Sequence, residues 1–193
     1  AIESKKLTVT TDVAKASKNA DIVIIAVQTP LVKEGDLGLS FLERACASVG
    51  KGLSQGKLVI VESTIPPKTT SNIIGPLLQN TSGLRCGTDF WLAYCPERIS
   101  PGRILKELVE NPRIIGGYDV LSSTLALALY ETVVKGKLAT CDCATAEVAK
   151  CAENAFRDVN IAFANELAMI CEILGVDASE VIKLANKHPR VDI

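Results

Sequence analysis

The sequence predicts a doubly wound α/β sheet that leads into one long, nearly apolar helix. Three observations carry that prediction. Short runs that are apolar on both alternations recur along the first two thirds of the chain, as strands covered on both faces require. Helical patterns separate those runs, which is the order of βαβ units. Near the C-terminal end, about 30 residues pass without a proline or glycine.

Residues Asp21 to Val27 (DIVIIAV), Lys57 to Glu62 (KLVIVE) and Phe90 to Cys95 (FWLAYC) form the first three runs, and Arg113 to Ile115 leads a fourth into Gly116-Gly117. Both alternations being apolar suits a parallel sheet. Leu42, Ala45, Cys46, Val49 and Leu53 recur at helical spacing, and a second helix is expected from Thr69 to Leu78, after Pro66-Pro67, with Thr69 or Thr70 as its N-cap. After about residue 118, Leu121 to Val134 reads as helix and Lys137 to Cys143 as one more strand. Ala144 to Leu174 then reads as a helix about 45 Å long, stopped by Gly175 and followed by a shorter helix from Ala178 to Lys187. The long helix is apolar around most of its circumference, so it needs cover on several sides, and a second subunit is the expected cover. Both ends read as cut, with no complete first βαβ unit and no closing element.

Bulk properties narrow the function. Hydrophobic residues make up 48% and charged residues 22% of the 193, with a net charge of −1, which suits a globular core. No basic tract exceeds two residues, which argues against nucleic acid. The apolar runs fall short of a membrane span, and no signal sequence is visible, so a cytoplasmic protein is expected. The seven cysteines have neither zinc spacing nor the density of a disulfide scaffold, and read as reduced core residues.

Five motifs bear on chemistry. Gly50, Gly52 and Gly56 imitate a dinucleotide loop, but the spacing is wrong and the order is helix before strand, so they are read as a connection. Val27-Gln28-Thr29-Pro30, Glu62-Ser63-Thr64 and Cys95-Pro96-Glu97-Arg98 each follow a strand, at the edge where open α/β sheets bind ligands. Thr-Pro also suits a simple turn, and Glu97 with Arg98 and Arg103 also suits a surface salt-bridge cluster. The fifth is the most informative. Glu147, Lys150, Asn154, Arg157, Ile161 and Asn165 share one face of the long helix. They form either a solvated stripe or a site in which a lysine and an amide, one turn apart, handle a substrate hydroxyl.

These residues resemble a known family. STIPPKTT is similar to the STVPPGTT segment of the UDP-glucose/GDP-mannose dehydrogenases, CPERISPGR to their NPE segment, and AEVAKCAENAFRDVNIAFANELA to their central dimer helix. The resemblance implies NAD-dependent oxidation of a nucleotide-sugar primary alcohol to a carboxylate in two hydride transfers. It implies that residues 1 to about 118 are the later part of a Rossmann-like NAD-binding domain and that 119–193 are the dimerisation region of a homodimer. The family's UDP-sugar domain, and its catalytic cysteine in a GGxC segment, would lie beyond residue 193, so this stretch alone is expected to be inactive.

By the same resemblance, Thr29 contacts the cofactor, and Thr64 positions the catalytic water beside it. Glu97 acts in acid/base chemistry, and Lys150 with Asn154 stabilises an oxyanion and a water. Arg157, His188 and Arg190 bind substrate, Arg190 that of the partner subunit. The family's second glutamate is replaced here by Pro101. PERxxPGR, NAFRDVNIAFANE and HPRV resemble instead the branch acting on UDP-N-acetylhexosamines, especially UDP-N-acetylmannosamine. A β-hydroxyacid dehydrogenase, which also carries a lysine and an asparagine one turn apart, is the alternative, and a non-catalytic dimerisation module is the third reading.

Overall fold

The computed structural model describes residues 6–31, 38–99 and 102–193. The chain divides after Lys150 into two compact units. The first is a five-stranded sheet in sequence order: β1 (Ile22–Ile25), β2 (Leu58–Val61), β3 (Trp91–Tyr94), β4 (Arg113–Gly117) and β5 (Leu138–Asp142). Each strand lies inside the run that predicts it. The first three strands are parallel and in register, with Ile25, Val61 and Tyr94 side by side, so the segments that follow them all leave from one edge.

The sheet is not parallel throughout, as the apolar runs led one to expect. β4 pairs antiparallel with β3, Tyr94 opposite Gly116. The connection between them explains why. Its helix α4 (Ile104–Glu110) buries no side chain, so it offers no apolar face with which to cross the sheet. The chain turns back along the same edge instead, and Arg113, at the head of β4, arrives beside the ends of β1 to β3. By contrast, α2 (Ser40–Gly52) buries Leu42, Cys46 and Val49, α5 (Val120–Glu131) buries Ala126 and Tyr130, and the strands joined by each are parallel.

Strand alternation sorts the core into two layers. Val59, Val61, Leu92 and Tyr94 pack with Leu42, Cys46, Val49, Ile74, Leu78 and Ala146. Leu58, Ile60, Ala93 and Cys95 face the other way, onto Ala126, Tyr130 and Val134. Each such fully buried aliphatic side chain contributes about 1.5–3 kcal/mol, so both covers of the sheet matter. At β1 the cover is partial, with Ile22 and Ile24 exposed.

The helix expected after Pro66-Pro67 opens as a π turn, Thr70–Ile74, and continues as α3 (Gly75–Ser82) to a left-handed Gly83. Neither Thr69 nor Thr70 caps it as expected. Thr69 is the N-cap by position but makes no side-chain cap bond. The false dinucleotide loop is a packing device: a Cβ on Gly50 would stand 1.8 Å from Thr81 Oγ1, and one on Gly52 would stand 1.9 Å from the Ala14 carbonyl oxygen. That carbonyl belongs to α1 (Val13–Asn19), whose C-terminal carbonyls at Ser17 and Lys18 accept bonds of 2.6 and 2.7 Å from the buried Lys57 ammonium.

Helix α6 (Cys143–Leu174) opens under Asp142, whose carboxylate accepts the Thr145 N–H at 2.9 Å. Its turns up to Lys150 belong to the sheet unit. The rest of α6 forms the second unit with α7 (Ala178–Ala185), after a left-handed Gly175 and a capping Asp177. Within that unit Phe156, Val159, Ile161, Phe163 and Ile173 are exposed. Among the described residues, no helix is long and apolar enough to cross a membrane.

Candidate active site

The parallel register of β1, β2 and β3 delivers three loops to one edge, and side chains tie them together. The Ser63 hydroxyl donates to the Val27 carbonyl at 2.7 Å and accepts the Val27 N–H at 2.9 Å, so it acts as a further rung between the ends of β1 and β2. Two residues on, the Thr29 hydroxyl donates to the Thr64 carbonyl at 2.8 Å. The predicted cofactor residue and the predicted water-positioning residue are therefore in direct contact. Beside them, Ala26, Val27 and Gln28 line an open cleft of about 540 Å³ with Phe41, Arg44, Ala45 and Ser48 from α2. The Arg44 guanidinium lies over the Phe41 ring, 4.9 Å from its centroid. A cleft of that size at the C-terminal edge of a parallel strand, with an aromatic face and a cation, suits part of a dinucleotide.

The third loop meets α6. Lys150 is 6% exposed, and its ammonium donates to the Glu97 carbonyl oxygen at 2.7 Å. The stripe is not solvated at this end: both Glu147 and Lys150 are buried. The Glu97 carboxylate turns back to accept the Ile99 N–H of its own loop. The Glu147 carboxylate accepts the N–H groups of Lys68 and of Thr70, the latter at 2.8 Å. This is the cap that the sequence assigned to a threonine. A carboxylate delivered from α6 takes the orphan donors at the head of the π turn, where it also complements the helix dipole.

A second buried group went unnoticed in the sequence. The Glu62 carboxylate accepts from the Arg113 guanidinium at 3.1 Å and from the Tyr130 hydroxyl at 2.6 Å, and the guanidinium lies 4.8 Å from the centroid of the Tyr130 ring. The signal was an acid ending one apolar run and a base opening another, but their pairing depends on the antiparallel return of β4. Burial, the Cys95 thiol and the bond to Glu62 raise the Tyr130 hydroxyl well above a free phenol. Burial likewise pushes the Cys46, Cys86 and Cys143 thiols to about 12, and burial with the nearby Glu62 charge raises Cys95. Such thiols stay protonated and are inert as nucleophiles. None of the seven cysteines is in a disulfide.

The sheet unit thus gathers Thr29, Thr64, Glu97 and Lys150 at one edge. Asn154, Arg157, His188 and Arg190 belong to the second unit. There Asn154 is half-buried, while Arg157, His188 and Arg190 are exposed, and the Arg190 N–H reaches His188 Nδ1 at 3.3 Å. Pro101 lies outside the described residues. An ammonium held at a sheet edge, against loops that carry hydroxyls, can stabilise negative charge on an oxygen that loses a proton or is attacked.

Comparison with known proteins fits that chemistry. Residues 1–134 match the NAD-binding domain of the UDP-glucose/GDP-mannose dehydrogenase family, and 144–193 match its central domain. Among curated proteins, the chain is 51% identical over 183 residues to a UDP-N-acetyl-D-mannosamine dehydrogenase of Pyrococcus horikoshii, covering 95% of this chain and 43% of that protein. It is 46% identical over 180 residues to an NDP-N-acetyl-D-galactosaminuronic acid dehydrogenase of Ralstonia solanacearum, covering 90% of this chain and 43% of that protein. Among solved structures, a UDP-D-ManNAc dehydrogenase from Pyrococcus horikoshii superposes with a TM-score of 0.94 at 50% identity, over 100% of this chain and 45% of the other. The chain therefore spans less than half the length of these relatives.

Proposed function

Because the chain belongs to the UDP-glucose/GDP-mannose dehydrogenase family, we propose that it is part of an enzyme that oxidises the C6 hydroxyl of a UDP-N-acetylhexosamine to the uronic acid, with UDP-N-acetylmannosamine as the first candidate substrate. The observation that carries this reading is the buried Lys150 ammonium at the edge where Thr29 and Thr64 meet. Family membership favours it over the β-hydroxyacid alternative, and a pattern of buried polar groups at one edge favours an enzyme over a passive dimerisation module. The uronic acid would feed surface-polysaccharide synthesis, and a cytoplasmic location belongs to the same reading.

NAD is the family's cofactor, and when bound it accepts the hydride of each oxidation step. Thr29 and Thr64, tied to each other, would border it at the sheet edge, and the cleft beside β1 would hold part of it. Lys150 faces the oxygen of the substrate: it favours the alkoxide as the hydroxyl proton leaves, then the tetrahedral oxyanion when the aldehyde carbon is attacked. Glu97 gives Lys150 its backbone carbonyl as an anchor, and its carboxylate is the group that accepts a proton once it swings from the Ile99 N–H. Asn154, in the second unit, is the amide that the family resemblance assigns to an oxygen or a water. Arg157, His188 and Arg190 contact the nucleotide sugar, and the exposed apolar residues of α6 pair with those of a second copy. In this reading residues 1 to about 118 serve the cofactor and 119–193 lead into the dimer.

The test is a full-length enzyme carrying this segment, assayed for two equivalents of NADH per sugar with UDP-N-acetylmannosamine, UDP-N-acetylgalactosamine, UDP-N-acetylglucosamine and UDP-glucose. Preference for an N-acetylated sugar supports the reading. Oxidation of β-hydroxyacids alone, or no NADH with any substrate, defeats it.

A further inference from the structure

Glu147 is fully buried and caps the π turn, but a cap alone does not call for a charge delivered from α6. A carboxylate in that position must be desolvated, and a side chain of the same size without charge would fill the same space. What it touches is not an ion but two backbone N–H groups, those of Lys68 and Thr70, nearly eighty residues earlier in the chain. Lys68 has a φ of 69°, and among the described residues it is the one non-glycine with a positive φ. A left-handed lysine costs free energy that glycine avoids, and glycine is what the matching family segment, STVPPGTT, carries there. The conformation persists because the carboxylate overdetermines it: both N–H groups must point at Glu147 for its two oxygens to be satisfied.

The loop so held is the one that carries Thr64. Its first residues are fixed to β1 through Ser63 and Val27, and through Thr29 and the Thr64 carbonyl. Between Ile65, which sits in the core, and the helix that follows, the N–H groups of Lys68 and Thr70 are taken by the Glu147 carboxylate of α6. Three residues after Glu147, one turn on and also buried, Lys150 reaches the loop after β3. One turn of α6 therefore sets the spacing of two loops. Resting on the dehydrogenase reading, we propose that Glu147 is a positioning residue: its carboxylate fixes the Thr64 loop to the turn of α6 that presents Lys150, so that the alignment of hydroxyl and ammonium depends on it.

Glu147→Gln in the full-length enzyme is the test, alone and with Lys68→Gly. Glutamine keeps the size and can accept one N–H, but turns an NH₂ toward the other. The expected result is a fall in kcat between about tenfold and a hundredfold, with the KM for UDP-sugar changed far less. Amide exchange at Lys68 and Thr70 should quicken. Lys68→Gly alone should leave kcat unchanged, and added to Glu147→Gln it should restore at least about threefold, because glycine holds the left-handed turn without the carboxylate. A Glu147→Gln enzyme that melts lower yet turns over at the parental rate makes the carboxylate a stability cap and overturns the proposal. So does a loss of kcat that Lys68→Gly does not relieve. If Glu147→Gln does not fold, Glu147→Asp, with the charge kept but one methylene withdrawn, must show the same kcat loss and the same relief. Should the parent enzyme oxidise no UDP-sugar, the functional reading fails, whereas amide exchange at Lys68 and Thr70 still tests the anchorage.

Discussion

Lys150→Ala in the full-length enzyme should lower kcat by about 10²–10³. The structure supports that size. Lys150 is 6% exposed, so bulk water screens its charge little. A unit charge about 4 Å from a developing oxyanion is worth roughly 4 kcal/mol near a protein surface and about 1 kcal/mol in water. The difference is about two powers of ten in rate. Stability should move much less. Losing a buried charge relieves its desolvation, but the ammonium donates to the Glu97 carbonyl at 2.7 Å. Losing that donor leaves a buried acceptor, a cost of about 1–3 kcal/mol that offsets the relief of desolvation. Single-turnover hydride transfer, followed by NADH absorbance, isolates the chemical step, and KM for UDP-sugar should stay within a few-fold. A folded Lys150→Ala enzyme that reduces NAD at close to the parental rate would refute the reasoning, because the stripe would then serve packing alone.

Three further outcomes are expected. Arg113→Met should destabilise the protein by about 3 kcal/mol or more, since it strands the Glu62 carboxylate with the Tyr130 hydroxyl as its remaining partner; a urea midpoint unchanged by the substitution would show that the pair is not a net contributor. Stability should fall at alkaline pH. The folded-state values of Cys46, Cys86 and Cys143 are raised from 9.0 to about 12, so the favourable term is whole below pH 9 and drains away as the unfolded chain ionises between 9 and 12; a shallower loss of stability across that window in the Cys46→Ala, Cys86→Ala, Cys143→Ala triple variant, with Cys95 and Tyr130 left to keep part of the slope, is the expected signature, and a slope equal to the parent's would count against it. Phe156→Lys, at a residue 70% exposed on α6, should shift the full-length enzyme from dimer toward monomer in sedimentation velocity, and an unaltered dimer would remove this face from the interface.

What the sequence revealed and what it hid divide along one physical line. Periodicity is a local property. The runs DIVIIAV, KLVIVE and FWLAYC, and the stretch without proline or glycine before Gly175, therefore located β1, β2, β3 and α6 to within a residue or two. The sheet edge followed as well, since residues just past parallel strands must share it, and Thr29 and Thr64 do. Direction of a strand is not local. β4 looks like its neighbours in composition, and only the failure of α4 to bury anything turns it around. From that reversal came Arg113 beside Glu62, a pair no spacing rule connects. The threonine cap failed for the same reason: Thr69 and Thr70 have the right chemistry for a local cap, but a carboxylate from α6 offered two acceptors where a hydroxyl offers one bond. Charges in this protein are therefore best read by what they meet across the sheet. Glu62, Glu147 and Lys150 each end on a partner from another segment, and two of the three hold backbone rather than an opposite charge. Side chains used in that way fix loops, and the loops they fix are the ones that carry Thr64 and Glu97.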